Sequence, residues 1–207
     1  MSRNQPTAAH WEGVYASKAP DEVSWYEPTP ETSVRLVLSQ GMPDSVVDVG
    51  AGTSLLVDEL LERGVPRVTA LDLSVSALSL VHHRVDVLAN RLTTVVGDVL
   101  TWVPEETYAV WHDRAVFHFL TDPGERTAYV AQVRRAAPGG LVVVATFASD
   151  GPEQCSGLST CRYEATDLHE VFGSDFELLH GEHVEHTTPW GTVQPFTWVV
   201  LRAPAAG

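Results

Sequence analysis

The spacing of apolar and polar positions predicts strands that alternate with helices along most of the chain. A stretch with leucines at helical spacing, residues 55–63, follows the first apolar run and ends at Gly64, a helix-stop signal. Short apolar runs with the length of buried parallel strands occur at residues 46–49, 67–72, 92–96, 108–112 and 141–147. This alternation is typical of an α/β fold with a mostly parallel sheet.

The leader, residues 1–40, is predicted to contain two short helices joined by a turn-rich segment with three prolines. The helix at residues 8–18 carries Trp11, and the turn-rich segment carries Trp25. The aromatic side chains either pack the leader onto the domain or form a lid whose ring faces cover a cation. We therefore expect an N-terminal helical lid, followed by a main domain at residues 41–207 within one compact unit.

The C-terminal third is predicted to begin with a long loop at residues 148–165, and loops of that length are usually functional. Thr166 is expected to cap a short helix. Two further strands, at residues 176–186 and 193–201, flank a turn and form an antiparallel pair.

A glycine turn follows the first strand, in the order Asp48, Val49, Gly50, Ala51, Gly52. Glycine lets the backbone approach a ligand closely because it has no Cβ atom. A dinucleotide site would need a third glycine where Leu55 stands. Asp48 would also repel a pyrophosphate, whereas it would attract a ligand that carries an ammonium and a sulfonium group.

Three predicted strands each end near a carboxylate: Asp48, Asp72 and Asp98. Ligands of open α/β sheets collect at the carboxyl ends of the strands, so these side chains are expected in one crevice. Asp72 stands where an acid of a βαβ nucleotide site binds the ribose hydroxyls. Its alternative role, capping the next helix, is less favoured because Ser74 is placed to do so.

Composition restricts the classes of partner. The 207 residues are 44% hydrophobic and carry 27 acidic against 13 basic side chains, a formal net charge of −14. Such a surface repels nucleic acids and anionic membranes, and no apolar run is long enough to span a bilayer. The N-terminus lacks the apolar core of a signal peptide, and two cysteines do not imply a disulfide framework. These features predict a cytoplasmic protein.

The glycine turn, Asp72, Asp98 and the run Pro138-Gly139-Gly140 together resemble the class I S-adenosylmethionine (SAM)-dependent methyltransferases over about residues 40–150. The resemblance implies a Rossmann-like three-layer sandwich whose seven-stranded, mostly parallel sheet has an antiparallel last strand. The predicted terminal strand pair is consistent with that fold. It also implies SAM as the cofactor and S-adenosylhomocysteine (SAH) as its product.

The leader tryptophans and the run His112-Asp113-Arg114-Ala115 are similar to the thiopurine S-methyltransferase and tellurite-resistance-like branch. In the family pattern, Asp98 accepts from the adenine amino group while its apolar neighbour lies on the ring. The cofactor-binding residues that the resemblance implies are Trp11, Trp25, Asp48, Gly50, Ala51, Gly52, Asp72, Leu73, Asp98, Val99, Asp113 and Arg114.

Methyl transfer needs alignment and exclusion of water more than it needs a catalytic group, unless the acceptor is a hydroxyl or an amine. His118 is the candidate general base because it follows the fourth strand, and a core histidine is the alternative. Arg114 is the second candidate catalytic residue: it either orients the acceptor or pairs with Asp98 or Asp113. Trp102 is either a core residue or an adenine neighbour.

We expect transfer to a small-molecule acceptor, with a thiol or another chalcogen favoured over oxygen or nitrogen by the branch resemblance. The alternatives are a protein lysine methyltransferase and a non-catalytic SAM-binding module. No metal site is predicted, because the histidines at 180, 183 and 186 alternate on a strand that is expected to be a solvated face. Cys155 and Cys161 are interpreted as loop residues, with thiols near the substrate as the alternative.

Overall fold

The computed structural model describes residues 7–207 and shows a seven-stranded sheet with helices on both faces. The α-helices are α1 (Ala8–Ser17), α2 (Glu31–Val37), α3 (Leu56–Glu62), α4 (Val75–Val85), α5 (Pro123–Ala136) and α6 (Ala165–Phe172). The strands are β1 (Val46–Val49), β2 (Val68–Asp72), β3 (Leu92–Val96), β4 (Val110–Arg114), β5 (Leu141–Phe147), β6 (Gln154–Cys155), β7 (Leu158–Ser159), β8 (Glu177–Thr187) and β9 (Val193–Arg202).

The strand order in the sheet is β3-β2-β1-β4-β5-β9-β8. Strands β1 to β5 pair in parallel, and β9 alone among the seven runs in the opposite direction, pairing antiparallel with both β5 and β8. This confirms the predicted fold class. The order reverses between β1 and β4, and such a switch point leaves a crevice at the carboxyl ends of the strands where α/β proteins bind ligands.

Alternation along β5 explains how one apolar run serves two faces of the sheet. Val143 and Ala145 pack with the cluster formed by α2, α3 and α4, whereas Val142 and Val144 pack with α5 and α6. All seven residues of β5 are buried. Because β5 is buried on both faces, six of its seven residues are apolar, with Thr146 as the exception, which is why its limits are predictable from the sequence.

Three predicted elements differ in the structure. β4 begins at Val110 and not at residue 108, because its register is set by pairing with β1, while the Tyr108 amide donates to Ala136 at the end of α5. The loop at 148–165 contains the short hairpin β6–β7. The cap of α6 is Glu164 and not Thr166, and the Asp167 carboxylate accepts from the Glu164 amide in return.

The described part of the leader makes two different contacts with the domain. Helix α2 is part of the core, since Val34, Leu36 and Val37 are buried in the cluster shared with α3 and β5. Helix α1 has no buried residue and lies against the start of α4, where Glu12 Oε1 accepts from the Val75 and Ser76 amides. The first six residues of the predicted lid lie outside the described range.

Within residues 7–207, no helix combines the length and the apolar character needed to cross a membrane.

Candidate active site

Two adjoining cavities lie at the carboxyl ends of β1, β2 and β4. The larger has a volume of about 970 Å³, including its mouth, and the smaller about 520 Å³. Gly50, Trp25 and Arg114 line both. Of the predicted site residues, the larger cavity brings together Trp11, Trp25, Gly50, Asp72, Leu73, Asp98, Val99 and Arg114. The smaller cavity adds Asp48 and Ala51.

The glycine turn needs glycine at both positions. Gly50 and Gly52 have φ angles of +68° and +50°, in the left-handed region that favours glycine. A Cβ atom on Gly50 would collide with Val116, and one on Gly52 would collide with the Tyr15 hydroxyl. The Gly50 and Ala51 amides both donate to the Leu71 carbonyl, which fixes the turn against β2.

Asp72 joins the glycine turn to the start of α4. Its Oδ2 accepts from the Gly52 amide and its Oδ1 from the Ser74 amide, each at 2.8 Å. Burial raises the pKa of this carboxyl to about 6, although both amide donors oppose the change. Ser74 caps α4 by accepting from the Ala77 amide, as predicted. Each carboxylate oxygen of Asp72 has a further lone pair that is able to accept from a ligand hydroxyl.

Asp98 is an exposed carboxylate in the turn after β3. Its Oδ1 accepts from the Leu100 amide at 2.9 Å, which holds the side chain beside the larger cavity. The next residue, Val99, is buried and supplies an apolar wall. Trp102 packs against Tyr108 and Trp111 in the core, so the structure favours the core interpretation of this tryptophan.

Asp48 is held by a partner that the sequence did not predict. The carboxylate is buried, and its Oδ1 lies 2.7 Å from His112 Nδ1. The other ring nitrogen of His112 lies 3.0 Å from the Ser33 hydroxyl on α2. Asp48 Oδ2 has no hydrogen-bond partner within the described part of the chain.

Arg114 lies at the junction of the two cavities. Its Nη1 donates to the Trp25 carbonyl at 2.8 Å, and its guanidinium lies 5.0 Å from the centre of the Phe196 ring. Nη2 is 3.1 Å from Glu27 Oε1 without hydrogen-bond alignment, and neither Nε nor Nη2 donates to any residue in the range 7–207. Burial lowers the pKa of this guanidinium. The predicted pairing with Asp98 or Asp113 is therefore wrong.

Three predicted site residues line neither cavity: Gly52, whose amide donates to Asp72, and the two residues His118 and Asp113. His118 is fully buried between the Phe119 and Phe147 rings, and burial lowers its pKa to about 3. An imidazole that is enclosed in the core is out of reach of an acceptor, and its low pKa makes it a weak base, so the geometry does not favour it as the general base. Asp113 lies on the α5 face of the sheet, where it accepts from the Tyr129 hydroxyl at 2.5 Å and from the Val116 amide at 2.9 Å. It fixes the turn after β4 and does not reach the cofactor crevice.

The site also contains residues that sequence reasoning did not assign to it. Tyr15 stands four residues after Trp11 in α1, a spacing that puts both rings on one face of the helix and is the sequence signal for the tyrosine. Trp11 contacts the Trp25 and Phe119 rings edge-on, with centroids 5.7 and 5.5 Å apart. Cys155 also lines the larger cavity, and burial raises the pKa of its thiol to about 11.

The histidines of β8 have three different environments. His180 and His183 are exposed, with Glu182 and Asp150 as their respective neighbours. His186 is buried, its Nε2 lies 2.6 Å from the Ser24 carbonyl and its Nδ1 3.6 Å from Glu27. The predicted solvated face is therefore wrong for His186, because the leader covers that end of β8. Within the described ranges, no three His, Cys, Asp or Glu side chains are grouped to hold a metal ion.

The comparisons with known proteins agree with this geometry. Residues 46–140 match a family model described as a methyltransferase domain. A structure from work on the conversion of a disulfide bond into a thioacetal group during echinomycin biosynthesis is 20% identical, with a TM-score of 0.73. That alignment covers 95% of this chain and 93% of the other. No curated protein matches the chain by sequence.

Two further structures have the same fold. The N-methyltransferase NodS from Bradyrhizobium japonicum WM9, in complex with SAH, is 15% identical with a TM-score of 0.73, over 94% of this chain and 99% of that one. TehB from Haemophilus influenzae is 16% identical with a TM-score of 0.66, over 93% and 67% of the two chains. At these identities the likeness shows the fold alone, so the tellurite-resistance-like branch stays a prediction. The chain thus has the fold of SAM-dependent methyltransferases, and residues 46–140 carry the sequence pattern of a methyltransferase domain.

Proposed function

We propose that the protein is a SAM-dependent methyltransferase that acts on a small-molecule acceptor. The match over residues 46–140 and the crevice at the switch point of the sheet support this assignment. Among the solved structures with this fold are the N-methyltransferase NodS in complex with SAH and a protein studied in echinomycin biosynthesis.

The observation that carries the proposal is a pair of buried, oppositely charged side chains beside the glycine turn, each with polar atoms that make no hydrogen bond. Asp48 Oδ2 and two nitrogens of Arg114 have no hydrogen-bond partner in residues 7–207, and both side chains line the smaller cavity. Buried polar atoms without hydrogen bonds are costly, so a ligand that supplies the missing partners would be stabilised here. The amino-acid end of SAM carries one ammonium and one carboxylate, which match the two side chains in sign and number.

The larger cavity suits the adenosyl end of the same ligand. Asp72 would accept from the ribose hydroxyls and Asp98 from the adenine amino group, and Leu73 and Val99, which line the same cavity, would contact the ring. The two carboxylates would repel a phosphate group at the same place. The residues therefore fit an adenosyl ligand without phosphates better than they fit a dinucleotide.

The described leader residues 8–27 form a lid over these cavities. Glu12 binds the start of α4, and the Trp25 and Ser24 carbonyls accept from Arg114 and His186. The lid places the rings of Trp11, Tyr15 and Trp25 over the larger cavity. Aromatic faces attract a cation, and a closed lid excludes water from the reaction.

The chemistry of the walls favours an acceptor that ionises readily. When bound, SAM supplies a methyl group on a positively charged sulfur. His118 lines neither cavity, and burial raises the pKa of Tyr15 and Cys155, so none of these three groups supplies an accessible base near neutral pH. A small thiol, with an unperturbed pKa of about 8.5, has a usable thiolate fraction without such a base. We therefore favour sulfur over oxygen or nitrogen as the acceptor atom.

The test is titration calorimetry with SAM and SAH, followed by SAH-release assays on panels of small thiols, phenols and amines. We expect both ligands to bind and the thiol panel to give the fastest turnover. Asp48→Asn should weaken SAH binding by about tenfold or more, because it removes a charge-assisted hydrogen bond. Asp44→Asn is the control, since Asp44 is an exposed acid four residues earlier. Absence of SAH binding contradicts the proposal, and binding without turnover on any panel favours the non-catalytic module.

A further inference from the structure

A buried hydrogen-bonded chain links the leader to the glycine turn. It runs from the Ser33 hydroxyl on α2 through both ring nitrogens of His112 on β4 to the carboxylate of Asp48 on β1. The three side chains are 2–3% exposed, and all three line the smaller cavity. They come from segments that are far apart in the sequence, so only the tertiary fold brings them together.

The hydrogen bonds among these three side chains hold one oxygen atom of the Asp48 carboxylate and leave the other available to a ligand. A carboxylate only accepts hydrogen bonds, so His112 Nδ1 carries the proton that is donated to Asp48 Oδ1. The Ser33 hydroxyl both donates and accepts, and it satisfies His112 Nε2 in either role. The imidazole therefore has a partner at each nitrogen, and Asp48 Oδ2 alone is left without one in the described residues.

We propose that His112 and Ser33 are positioning residues that orient Asp48 Oδ2 toward the ammonium group of the cofactor. This rests on the proposed function, because it assigns a role within the same cofactor site. The imidazole prevents the carboxylate from rotating to form other contacts, and Ser33 prevents the imidazole from rotating. Since Ser33 lies on α2, which packs in the core, the orientation of Asp48 depends on the docking of the leader.

A structural role for His112 would make a different prediction from a positioning role. The ring is buried beside Trp198, so its loss could disturb the whole adenosyl site. Such a disturbance would weaken every adenosyl ligand, with or without an amino-acid end. A positioning role affects only ligands that carry the ammonium group. 5′-Methylthioadenosine lacks the amino-acid end of SAH, so the ratio of the two affinities separates the two roles.

The experiment measures the affinities of SAH and 5′-methylthioadenosine for the wild-type protein and for His112→Leu, His112→Asn and Ser33→Ala. We expect His112→Leu to weaken SAH binding by about tenfold and to leave methylthioadenosine binding within about twofold. His112→Asn keeps a donor near Asp48 and should restore part of the affinity for SAH. Ser33→Ala should also lower the ratio of the affinity for SAH to the affinity for methylthioadenosine, by a smaller factor than His112→Leu.

The matched control is Ser45→Ala. Ser45 is as buried as Ser33, and its hydroxyl also accepts a hydrogen bond, from the Ala109 amide. It makes no hydrogen bond to His112 or Asp48. It should leave the affinity ratio unchanged. Equal losses for the two ligands, or no loss in any variant, would overturn the positioning role. If His112→Leu does not fold, the ratios for His112→Asn and Ser33→Ala decide the question. If the wild-type protein binds neither ligand, the proposed function itself has failed.

Discussion

Asp72 is subject to two opposing effects at the residue scale. Burial disfavours its charge and raises the pKa to about 6, while the Gly52 and Ser74 amides donate to the charged form. The carboxylate is therefore ionised near neutral pH and close to titration in mild acid. Because it also connects the glycine turn with α4, its protonation is expected to affect the site in which the ribose hydroxyls would bind.

We predict that SAH binding becomes tighter between about pH 5 and about pH 7.5. The ionised form of Asp72 accepts hydrogen bonds, and protonation below a pKa of about 6 must be reversed before the ligand binds. Asp72→Asn should lose about 1.5–3 kcal/mol of binding free energy at neutral pH and remove this part of the pH dependence. Calorimetry across the pH range measures both effects. A flat profile in the wild type, or an unchanged slope in the variant, would remove Asp72 from the ligand contacts.

The position of a residue along its strand determines how far its role could be predicted. Of the three carboxylates expected in one crevice, Asp72 and Asp98 line the larger cavity, whereas Asp48 lines the adjoining smaller one. The family resemblance implies a site position for Asp113 as well, and the prediction that the fourth strand ends at residue 112 is consistent with it. Since β4 runs to Arg114, alternation puts Asp113 on the opposite face from His112 and Arg114. The contact between His112 and Asp48 depends on strand pairing, which spacing along the chain does not reveal.

At the element scale, the turn between β1 and α3 is shaped from outside as well as by its own residues. Val116, in the turn after β4, occupies the space in which a side chain on Gly50 would lie. Tyr15, from α1, does the same for Gly52. The glycine turn is therefore the point at which β1, β4 and the leader meet. Its conformation belongs to this assembly of three elements and not to the turn alone.

Gly50→Ala should destabilise the protein by more than its backbone angle explains. A left-handed alanine costs about 1–2 kcal/mol, and forcing a methyl group into packed space adds roughly 1–3 kcal/mol. Gly41→Ala is the control, because Gly41 also has a positive φ but has open space where the Cβ would lie. Urea unfolding measures the free energy of unfolding of each variant. Val116→Ala in the Gly50→Ala background should recover part of the loss, and equal losses for Gly50→Ala and Gly41→Ala would contradict the packing argument.

The elements that the sequence did not predict are those that depend on tertiary contacts. β3 and β5 have the predicted limits: β3 lies between Arg91 and Gly97, and β5 begins directly after Gly139 and Gly140. The hairpin β6–β7 has strands of two residues each, too short to produce a periodic pattern. The cap of α6 is Glu164, two residues before the predicted Thr166. The side chain three residues after it, Asp167, accepts from the Glu164 amide, as in a capping box.

Charge acts at the scale of the whole molecule. The protein has a formal net charge of −14, and its larger cavity is lined by the carboxylates of Asp72 and Asp98. Both the long-range field and the local groups therefore repel a polyanionic nucleotide. SAM and SAH carry the same adenosyl group without phosphates, and SAM adds a positive charge. The protein should therefore distinguish ligands that contain adenosine by the charge of the group attached to the ribose.

We predict that SAH raises the melting temperature of the protein and that ATP does not. A ligand at about 100 times its Kd stabilises the folded state by about 2.7 kcal/mol, which for a domain of this size corresponds to roughly 5–11 °C. ATP presents the same adenine and ribose, but its triphosphate would lie beside Asp48 and Asp72. Thermal unfolding with each ligand, at low and at moderate salt, gives the comparison. A shift with ATP as large as that with SAH would show that the crevice accepts phosphates, which would contradict both the charge argument and the assignment of the cofactor.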